Sequence, residues 1–415
     1  MKKYQHLERT LSNKLRVLYL PVPESPAVYI SLTGKVGRRA ELSNEIGSAH
    51  FLEHLFFDGT AKRPTALQLS EFIEGYGGLR NGSTGSEEVQ YWVKVLSEDR
   101  EVGFEYLSDI FFNSLLEEIE KERKVIGQEV AMNQDNPSRR LGRLIKSNLF
   151  PNQPIGRTIF DEAAHLPHIN KETLLNYRNR TYLANNFILA IAGNIDKDEA
   201  LKLAKEYFSK FKEGQEALFK KAEIEKNRKI HIVNGDFKQS KVAVSFRGCP
   251  ANTREEKIIA LLNVIFGQGG SSRLSNRIRH ELNLAYSVGS DTSFFSDTGF
   301  LTIETSVDET NLQRATEEIF SEIQKLLKHG ISEEELEKAK SKLLARTLFG
   351  LESLSFYANG FISQWLWGKE IKGIEEELNE VKEATKEDIM EVASYVFSDK
   401  PKINILTKSV TSLSI

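Results

Sequence analysis

One order of secondary-structure elements is predicted twice along the chain, and this repetition constrains the fold more than any other feature. In each half a strand rich in β-branched residues leads to a helix, and further strands come before a long helical region. The long helical regions open on similar sequences, Leu116-Glu-Glu-Ile-Glu-Lys121 and Ile331-Ser-Glu-Glu-Glu-Leu-Glu-Lys338. A repeated order of elements indicates duplication, so we expect two domains that share one fold.

The length of the chain supports this division. At 415 residues, the chain exceeds the size at which a single hydrophobic core normally keeps growing. Residues 213–228 are charged and poorly periodic, as interdomain linkers commonly are. We therefore predict a first domain over residues 1–212, a linker over 213–228 and a second domain over 229–415.

A predicted helix in the first half carries His50, Glu53 and His54. Residues at positions i, i+3 and i+4 share one helix face, so these three side chains can point into the same small volume. This spacing is typical of a metal site with a base beside it. In the register of the repeat the second half lacks such residues, which predicts that it keeps the fold without the metal. The residues at the equivalent positions are Ala260, Asn263 and Val264.

A catalytic zinc site needs three protein ligands and leaves one position for water. The helix supplies two, so a third has to come from elsewhere in the fold. Glu122 and Glu129 are candidates, because seven residues return to the same helix face, and one can bind the metal while the other supports it. Two imidazoles and a carboxylate leave net positive charge on a divalent ion, which favours activation of water. Glu53 is then the general base, and we expect hydrolysis of an amide bond.

Composition and charge exclude several partners and compartments. The 56 basic and 59 acidic residues nearly balance, so nothing indicates nucleic acid or an anionic membrane as partner. The single Cys249 cannot form an internal disulfide and fits a reducing compartment. The N-terminus lacks the apolar core of a signal peptide, and no apolar run is long enough to cross a bilayer. We expect a cytoplasmic protein, unless a presequence has been removed.

Several segments match one family of peptidases. His50-Phe-Leu-Glu-His54, followed by Phe57-x-Gly59-Thr60, resembles the inverted zinc motif of the pitrilysin, insulin-degrading enzyme and mitochondrial processing peptidase group. The resemblance covers essentially the whole chain. It implies an α+β fold of two homologous α/β-sandwich domains, each a mixed, largely antiparallel sheet covered by helices. The further matching segments are Gly77-Gly78 with Asn81 and Tyr91, the pair Glu122 and Glu129, residues 186–196, Gly269-Gly-Ser-Ser-Arg-Leu274, Arg279, and Leu284-Ala-Tyr286-Ser-Val288.

The resemblance also implies the roles of the metal-site residues. His50, His54 and Glu129 would bind one zinc ion per chain, and Glu53 would be the general base. Glu122 would be a carboxylate that does not bind the metal itself but hydrogen-bonds one of its ligands. The alternative for Glu122 is a charged residue on a solvated helix face. The ligand types also allow cobalt or manganese in place of zinc.

Substrate contacts are implied in both halves. By resemblance, Arg279 and Tyr286 hydrogen-bond the peptide carbonyl and stabilise the oxyanion, whereas the plain alternative is a surface arginine and a tyrosine of the sheet core. An edge strand of the first half would bind an extended peptide through main-chain hydrogen bonds. Gly82 in this strand departs from the alanine of many relatives and is expected to loosen it. The strand residues are Leu79, Arg80, Asn81, Gly82 and Ser83.

The size of the chain suggests how it would assemble if it resembles the longer members of this family. Long members of the family enclose substrate between two halves, each about as large as this chain. We therefore expect a homodimer in which Arg279 and Tyr286 of one chain serve the zinc of the other, and the rival is a heterodimer with an inactive homologue. The expected function is a zinc metallopeptidase that hydrolyses internal bonds of extended or unfolded peptides within this dimeric chamber. The alternatives are a presequence-processing peptidase with a non-catalytic partner and a non-catalytic assembly subunit that retains zinc.

Overall fold

The structure is a computed structural model that describes residues 5–223, 227–368 and 370–414. Two mixed β-sheets are covered by helices. None of the helices in the described residues combines the length and the apolar composition that a bilayer span requires. The strands are β1 (Leu7–Thr10), β2 (Arg16–Pro21), β3 (Ala27–Gly34), β4 (Leu79–Thr84), β5 (Val89–Leu96), β6 (Phe187–Gly193), β7 (Lys229–Asn234), β8 (Ser240–Gly248), β9 (Ala285–Phe294), β10 (Gly299–Val307) and β11 (Lys402–Thr407). The helices are α1 (Ser48–Phe56), α2 (Ala66–Glu74), α3 (Arg100–Asn113), α4 (Ile119–Asp135), α5 (Pro137–Leu149), α6 (Ile159–Glu162), α7 (Lys171–Thr181), α8 (Lys197–Phe208), α9 (Arg254–Phe266), α10 (Leu312–His329), α11 (Glu333–Gly350), α12 (Leu354–Trp367), α13 (Ile374–Lys382) and α14 (Lys386–Ser398).

The first sheet has the strand order β1-β2-β6-β3-β5-β4. Strands β3 and β6 lie inside it and are buried along their whole length, as expected for nearly continuous apolar runs. Apolar and more polar residues alternate from Val89 to Val95, which predicts a strand, and β5 indeed buries every second side chain. Strands β2 and β6 are parallel, and the other neighbouring pairs are antiparallel.

The second sheet repeats this topology. Its order is β7-β11-β8-β10-β9, and only the pair β7–β11 is parallel among the described strands. Each of its strands therefore has a counterpart at the same place in the order of the first sheet. Strand β7 corresponds to β2, and the edge strand β9 corresponds to the edge strand β4. The structure confirms the predicted fold of two duplicated domains, each with a mixed, largely antiparallel sheet.

Predicted and observed elements agree best where the pattern is strongly periodic. The sequence pattern predicts a helix over 254–266, which has these bounds in the structure, and a strand over 241–247, which falls within β8. Strand β11 is not predicted, although it lies inside the second sheet and is fully buried. Pro401 directly before it ends the preceding helical region, but a run of six residues is too short for periodicity to identify as a strand.

Two compact units emerge from the contacts within the chain. The first contains residues 1–132, 157–220 and 350–374, and the second contains 133–156, 221–349 and 375–415. Within the first unit α12 packs on β3 and β6, and within the second α5 packs on β8 and β11. Each unit thus includes a helix from the sequence half that carries the other sheet. In the predicted linker 213–228, residues 213–223 have no regular secondary structure, and residues 224–226 lie outside the described residues.

Candidate active site

Helix α1 is fixed in the first unit by its apolar face and by its first turn. Phe51, Leu52 and Phe56 are fully buried. The helix begins after Gly47, whose φ of 93° is readily adopted by glycine alone. The polar residues Ser43-Asn-Glu45 predict a helix cap at that segment, which is wrong, because the cap residue is Gly47. Instead, the carboxylate of Glu41 accepts a hydrogen bond from the Ala49 N–H at 2.9 Å. This carboxylate satisfies one of the free N–H groups of the first turn.

His50, His54 and Glu129 converge on one point, and we refer to them as the metal triad. The two histidine Nε2 atoms lie 3.2 Å apart, and they lie 3.4 and 3.6 Å from Oε2 of Glu129. A tetrahedral zinc ion with bonds of about 2.0–2.1 Å holds its ligand atoms about 3.3 Å apart. The triangle of ligand atoms therefore has the size that zinc requires. Two imidazoles and one carboxylate also match the donor set of a catalytic site with one open position.

A buried carboxylate binds each imidazole on the nitrogen that faces away from the metal triad. Glu122 of α4 lies 3.0 Å from Nδ1 of His54, and Glu162 of α6 lies 2.7 Å from Nδ1 of His50. The Nε of Arg38 in turn donates to Glu162 at 2.6 Å. Such partners fix the ring orientation and the tautomer of metal-binding histidines. Both imidazoles are thus held with Nε2 directed at the common point.

Glu162 was not among the sequence-predicted site residues. It is 1% exposed and lies 112 positions from His50 in the sequence. The capping box of Thr158 and Asp161 is a local signal for the start of α6, but it does not indicate which residue the helix contacts. Only the fold brings this carboxylate to the metal triad.

Hydrogen bonds among neighbouring side chains shift the pKa values of all three residues of the metal triad. Burial alone would lower the pKa of His50, but hydrogen bonds to Glu129 and Glu162 outweigh it and raise the pKa to about 9. Burial opposes the charge of His54 in the same way, and contacts with Glu122 and Glu129 raise its pKa to about 9. The two histidines hold the pKa of Glu129 well below its usual range. Without metal, the cluster therefore holds protons where a cation would bind.

Glu53 lies between the metal triad and the edge strand β4. The hydroxyl of Thr84 donates to Oε2 of Glu53 at 2.5 Å, which fixes one carboxylate oxygen. Gly82 of β4 approaches α1 closely, since a Cβ there would lie 2.9 Å from Cγ of Glu53 and 2.8 Å from Cε2 of Phe57. The strand remains regularly paired, with Gly82 opposite Tyr91. Gly82 thus permits close packing of α1 on β4, and the expectation that it loosens the strand stays a prediction.

The predicted peptide-binding segment forms the edge of the first sheet. Residues 79–83 lie in β4, which pairs with β5 on one side and ends the sheet on the other. The Gly82 N–H donates to the side-chain oxygen of Asn81 at 2.9 Å. Arg38 donates to the Thr84 carbonyl and therefore connects this edge to the carboxylate behind His50.

Arg279 and Tyr286 lie together in the second unit. The guanidinium carbon of Arg279 is 5.7 Å from the centre of the Tyr286 ring. Tyr286 is 82% exposed at the start of β9, which rules out the alternative of a sheet-core tyrosine. Their predicted role at the scissile carbonyl stays a prediction.

Comparison with protein families divides the chain into two parts. Residues 16–163 match the model described as Insulinase (Peptidase family M16). Residues 168–343 match the model described as Peptidase M16 inactive domain. The second description agrees with the second half, where alanine and valine stand at the histidine positions.

Similar proteins cover nearly the whole chain. An uncharacterized zinc protease of Rickettsia felis is 36% identical over 392 residues, which are 94% of each chain. The uncharacterized zinc protease YmxG of Bacillus subtilis is 28% identical over 96% of this chain and 98% of its own. A protease from Helicobacter pylori has the same fold, with a TM-score of 0.90 and 21% identity over 97% of this chain and 99% of that one. A structure of a peptidase M16 inactive domain from Pseudomonas fluorescens, with a TM-score of 0.84 and 18% identity, covers 99% of this chain and 100% of that one. From its sequence, this chain belongs to peptidase family M16.

Proposed function

We propose that this protein is a zinc-dependent endopeptidase that hydrolyses internal bonds of extended or unfolded peptides. The observation that carries the proposal is the geometry of the metal triad, with Glu53 beside it. Three ligand atoms lie at zinc-binding separations, and each imidazole has its own orienting carboxylate. Family membership and relatives named zinc proteases support the same reaction class.

In the proposed reaction, the metal ligands and the general base have separate roles. Zinc held by His50, His54 and Glu129 would polarise the scissile carbonyl and lower the pKa of water. In this proposal Glu53 accepts a proton from the attacking water and passes it to the leaving amine. Its hydrogen bond from Thr84 keeps one carboxylate oxygen oriented.

The edge strand β4 favours substrates in an extended conformation. An extended peptide can add to β4 through the main-chain groups that face away from β5. Main-chain pairing recognises an extended conformation before it recognises a particular sequence. Folded proteins do not present such a segment, so unfolded peptides are the expected substrates.

The proposed assembly is a homodimer with shared sites. In it, Arg279 and Tyr286 of one chain donate hydrogen bonds to the carbonyl at the other chain's metal triad. The 82% exposure of Tyr286 supports this, because its hydroxyl is accessible to a group on another chain.

Metal removal and product mapping test the proposal. An unfolded peptide is incubated with the metal-loaded protein, and mass spectrometry identifies the cleaved bonds. We expect internal cuts that a chelator abolishes and that added zinc restores. Zinc binding without cleavage of a broad set of unfolded peptides would contradict the proposal and favour an assembly subunit.

A further inference from the structure

The second unit reproduces the framework of the metal site in register. On its sheet, Asn263 of α9 accepts a hydrogen bond from Ser290 of the edge strand β9. On the first sheet, Glu53 of α1 accepts the equivalent bond from Thr84 of β4. The two helices therefore meet their edge strands at matching positions. This second location is the structural counterpart of the metal site.

Residues at the counterpart positions cannot bind a metal cation. When the sequences of α4 and α11 are aligned through their similar openings, with Lys121 over Lys338, an alanine and an arginine stand at the positions of the two glutamates. An alanine and a valine replace the two histidines. The charge at the glutamate-ligand position is thereby reversed. The replacing residues are Ala260, Val264, Ala339 and Arg346.

A cavity of about 210 Å³ lies at this place in the second unit. The apolar side chains of Val264 and Ala339 form part of its wall, as expected if they fill the positions of a histidine and a glutamate. Arg273 in the wall is already neutralised, because it binds Glu335 through two hydrogen bonds of 2.6 and 2.7 Å. Glu334 is a second carboxylate of the lining and, like Lys338 and Lys342, is exposed to solvent.

Two lysines of α11 face the cavity without acidic partners. Lys338 and Lys342 are one turn apart, and in the described part of the chain no carboxylate forms an ion pair with either amine. Lys342 donates to the Gln268 carbonyl instead, at 2.5 Å. Burial, followed by the charges of Lys338 and Arg346, lowers the pKa of Lys342. Like charges at this helical spacing destabilise each other, so an anion between them would relieve the repulsion.

We propose that this cavity binds a small oxyanion, either free phosphate or the terminal carboxylate of a peptide. Lys338 and Lys342 supply the positive charge, and an ammonium group binds phosphate or carboxylate as a point charge. Ser271 and Asn276 line the cavity and offer neutral donors. The duplication would then have produced a cation site in one unit and an anion site in the other. The proposal does not depend on peptidase activity.

Isothermal titration calorimetry tests it on the full-length protein. Inorganic phosphate is titrated at constant ionic strength in chloride buffer, and triglycine with a free or an amidated C-terminus is titrated in a second arm. We expect one site per chain, with affinity about tenfold or more weaker in Lys338→Gln/Lys342→Gln. Lys340→Gln is the matched control, because Lys340 of the same helix is paired with Glu337 at 2.9 Å. Its affinity should equal that of the wild type.

The outcomes separate the two sources of the anion. Binding of phosphate alone identifies a free anion, and binding of triglycine acid but not its amide identifies a peptide terminus. Circular dichroism establishes that the double variant is folded. Absence of binding in both arms would overturn the proposal. Equal affinity in the folded double variant would also overturn it, since that binding would then occur elsewhere, for example at the metal triad.

Discussion

The metal triad depends on residues behind it as much as on its own three side chains. Glu162 is buried, lies 2.7 Å from Nδ1 of His50, and is itself held by Arg38. A glutamine at this position keeps the size of the side chain but loses the charge that favours the correct imidazole tautomer. We therefore expect Glu162→Gln to weaken zinc binding about 10- to 100-fold.

Chelator competition measures this loss of affinity. Glu172→Gln is the control, because Glu172 is an exposed residue at the start of α7. Thermal unfolding establishes that both variants fold. Unchanged zinc affinity in a folded Glu162→Gln protein would contradict the role of this carboxylate.

Zinc affinity should also rise with pH. The pKa values of His50 and His54 are about 9 in the metal-free chain, so both rings are protonated near neutral pH and the metal has to displace these protons. Affinity should gain about tenfold per pH unit for each proton displaced, until the pH reaches about 9. The same raised pKa values stabilise the metal-free fold below the unfolded-state pKa of about 6.5, and this stabilisation fades as pH rises through about 9. Competition at several pH values, corrected for the chelator's own protonation, would refute this if affinity were flat.

At the residue scale, the sequence predicted what lies on one helix and missed what the fold brings together. His50, Glu53 and His54 follow from helical periodicity alone. The choice of Glu129 over Glu122 as the proposed ligand needed the family resemblance, and the structure places Glu129 in the triangle and Glu122 behind His54. Glu162 has no local signature, because its contact with His50 spans 112 positions.

At the element scale, the close packing of α1 on β4 sets the position of Glu53. An alanine at position 82 would place its Cβ 2.9 Å from Glu53 and 2.8 Å from Phe57, so the helix or the strand would have to shift. We expect Gly82→Ala to destabilise the protein by about 1–3 kcal/mol and to lower kcat more than it changes KM.

Chemical denaturation and steady-state kinetics check this expectation. Gly142→Ala in α5 is the control, because a Cβ there meets no atom within 4 Å. Alanine inside a helix should stabilise it by about 0.5–1 kcal/mol relative to glycine. Opposite signs for the two substitutions would support the packing argument, and a Gly82→Ala variant as stable and active as the wild type would contradict it.

The elements themselves were predictable to different degrees. Periodicity in the sequence predicts the bounds of helix α9 and the alternating burial of strand β5 correctly. The placement of α5 and α12 was not, because an amphipathic pattern shows that a helix packs but not which sheet it covers. Strand β11 was missed because its six residues are too short a run for periodicity to identify as a strand.

At the scale of the whole molecule, each unit has one complete sheet of the same topology, and the metal triad lies in the first unit alone. If two chains share their sites, a chain without His50 can still offer Tyr286 to a partner. Mixing equal amounts of His50→Ala and Tyr286→Phe chains should then restore about a quarter of the wild-type activity, because half of the dimers are mixed and each has one intact site.

The mixed sample is compared with each variant alone after both have been allowed to exchange subunits. Size-exclusion chromatography with light scattering reports the oligomeric state. Activity no higher than the sum of the two variants would argue against shared sites in a homodimer. That result would not contradict the role of the metal triad within each chain.

The central claim is that Glu53 activates water at a zinc ion held by the metal triad. Its most direct test is the cleavage rate of Glu53→Gln on an unfolded peptide, measured together with zinc content, with Glu71→Gln on the exposed side of α2 as control. We predict one zinc per chain in all three proteins, full activity in the control, and a rate at least about 100-fold lower in Glu53→Gln. A zinc-loaded Glu53→Gln protein that cleaves at the wild-type rate would contradict the account.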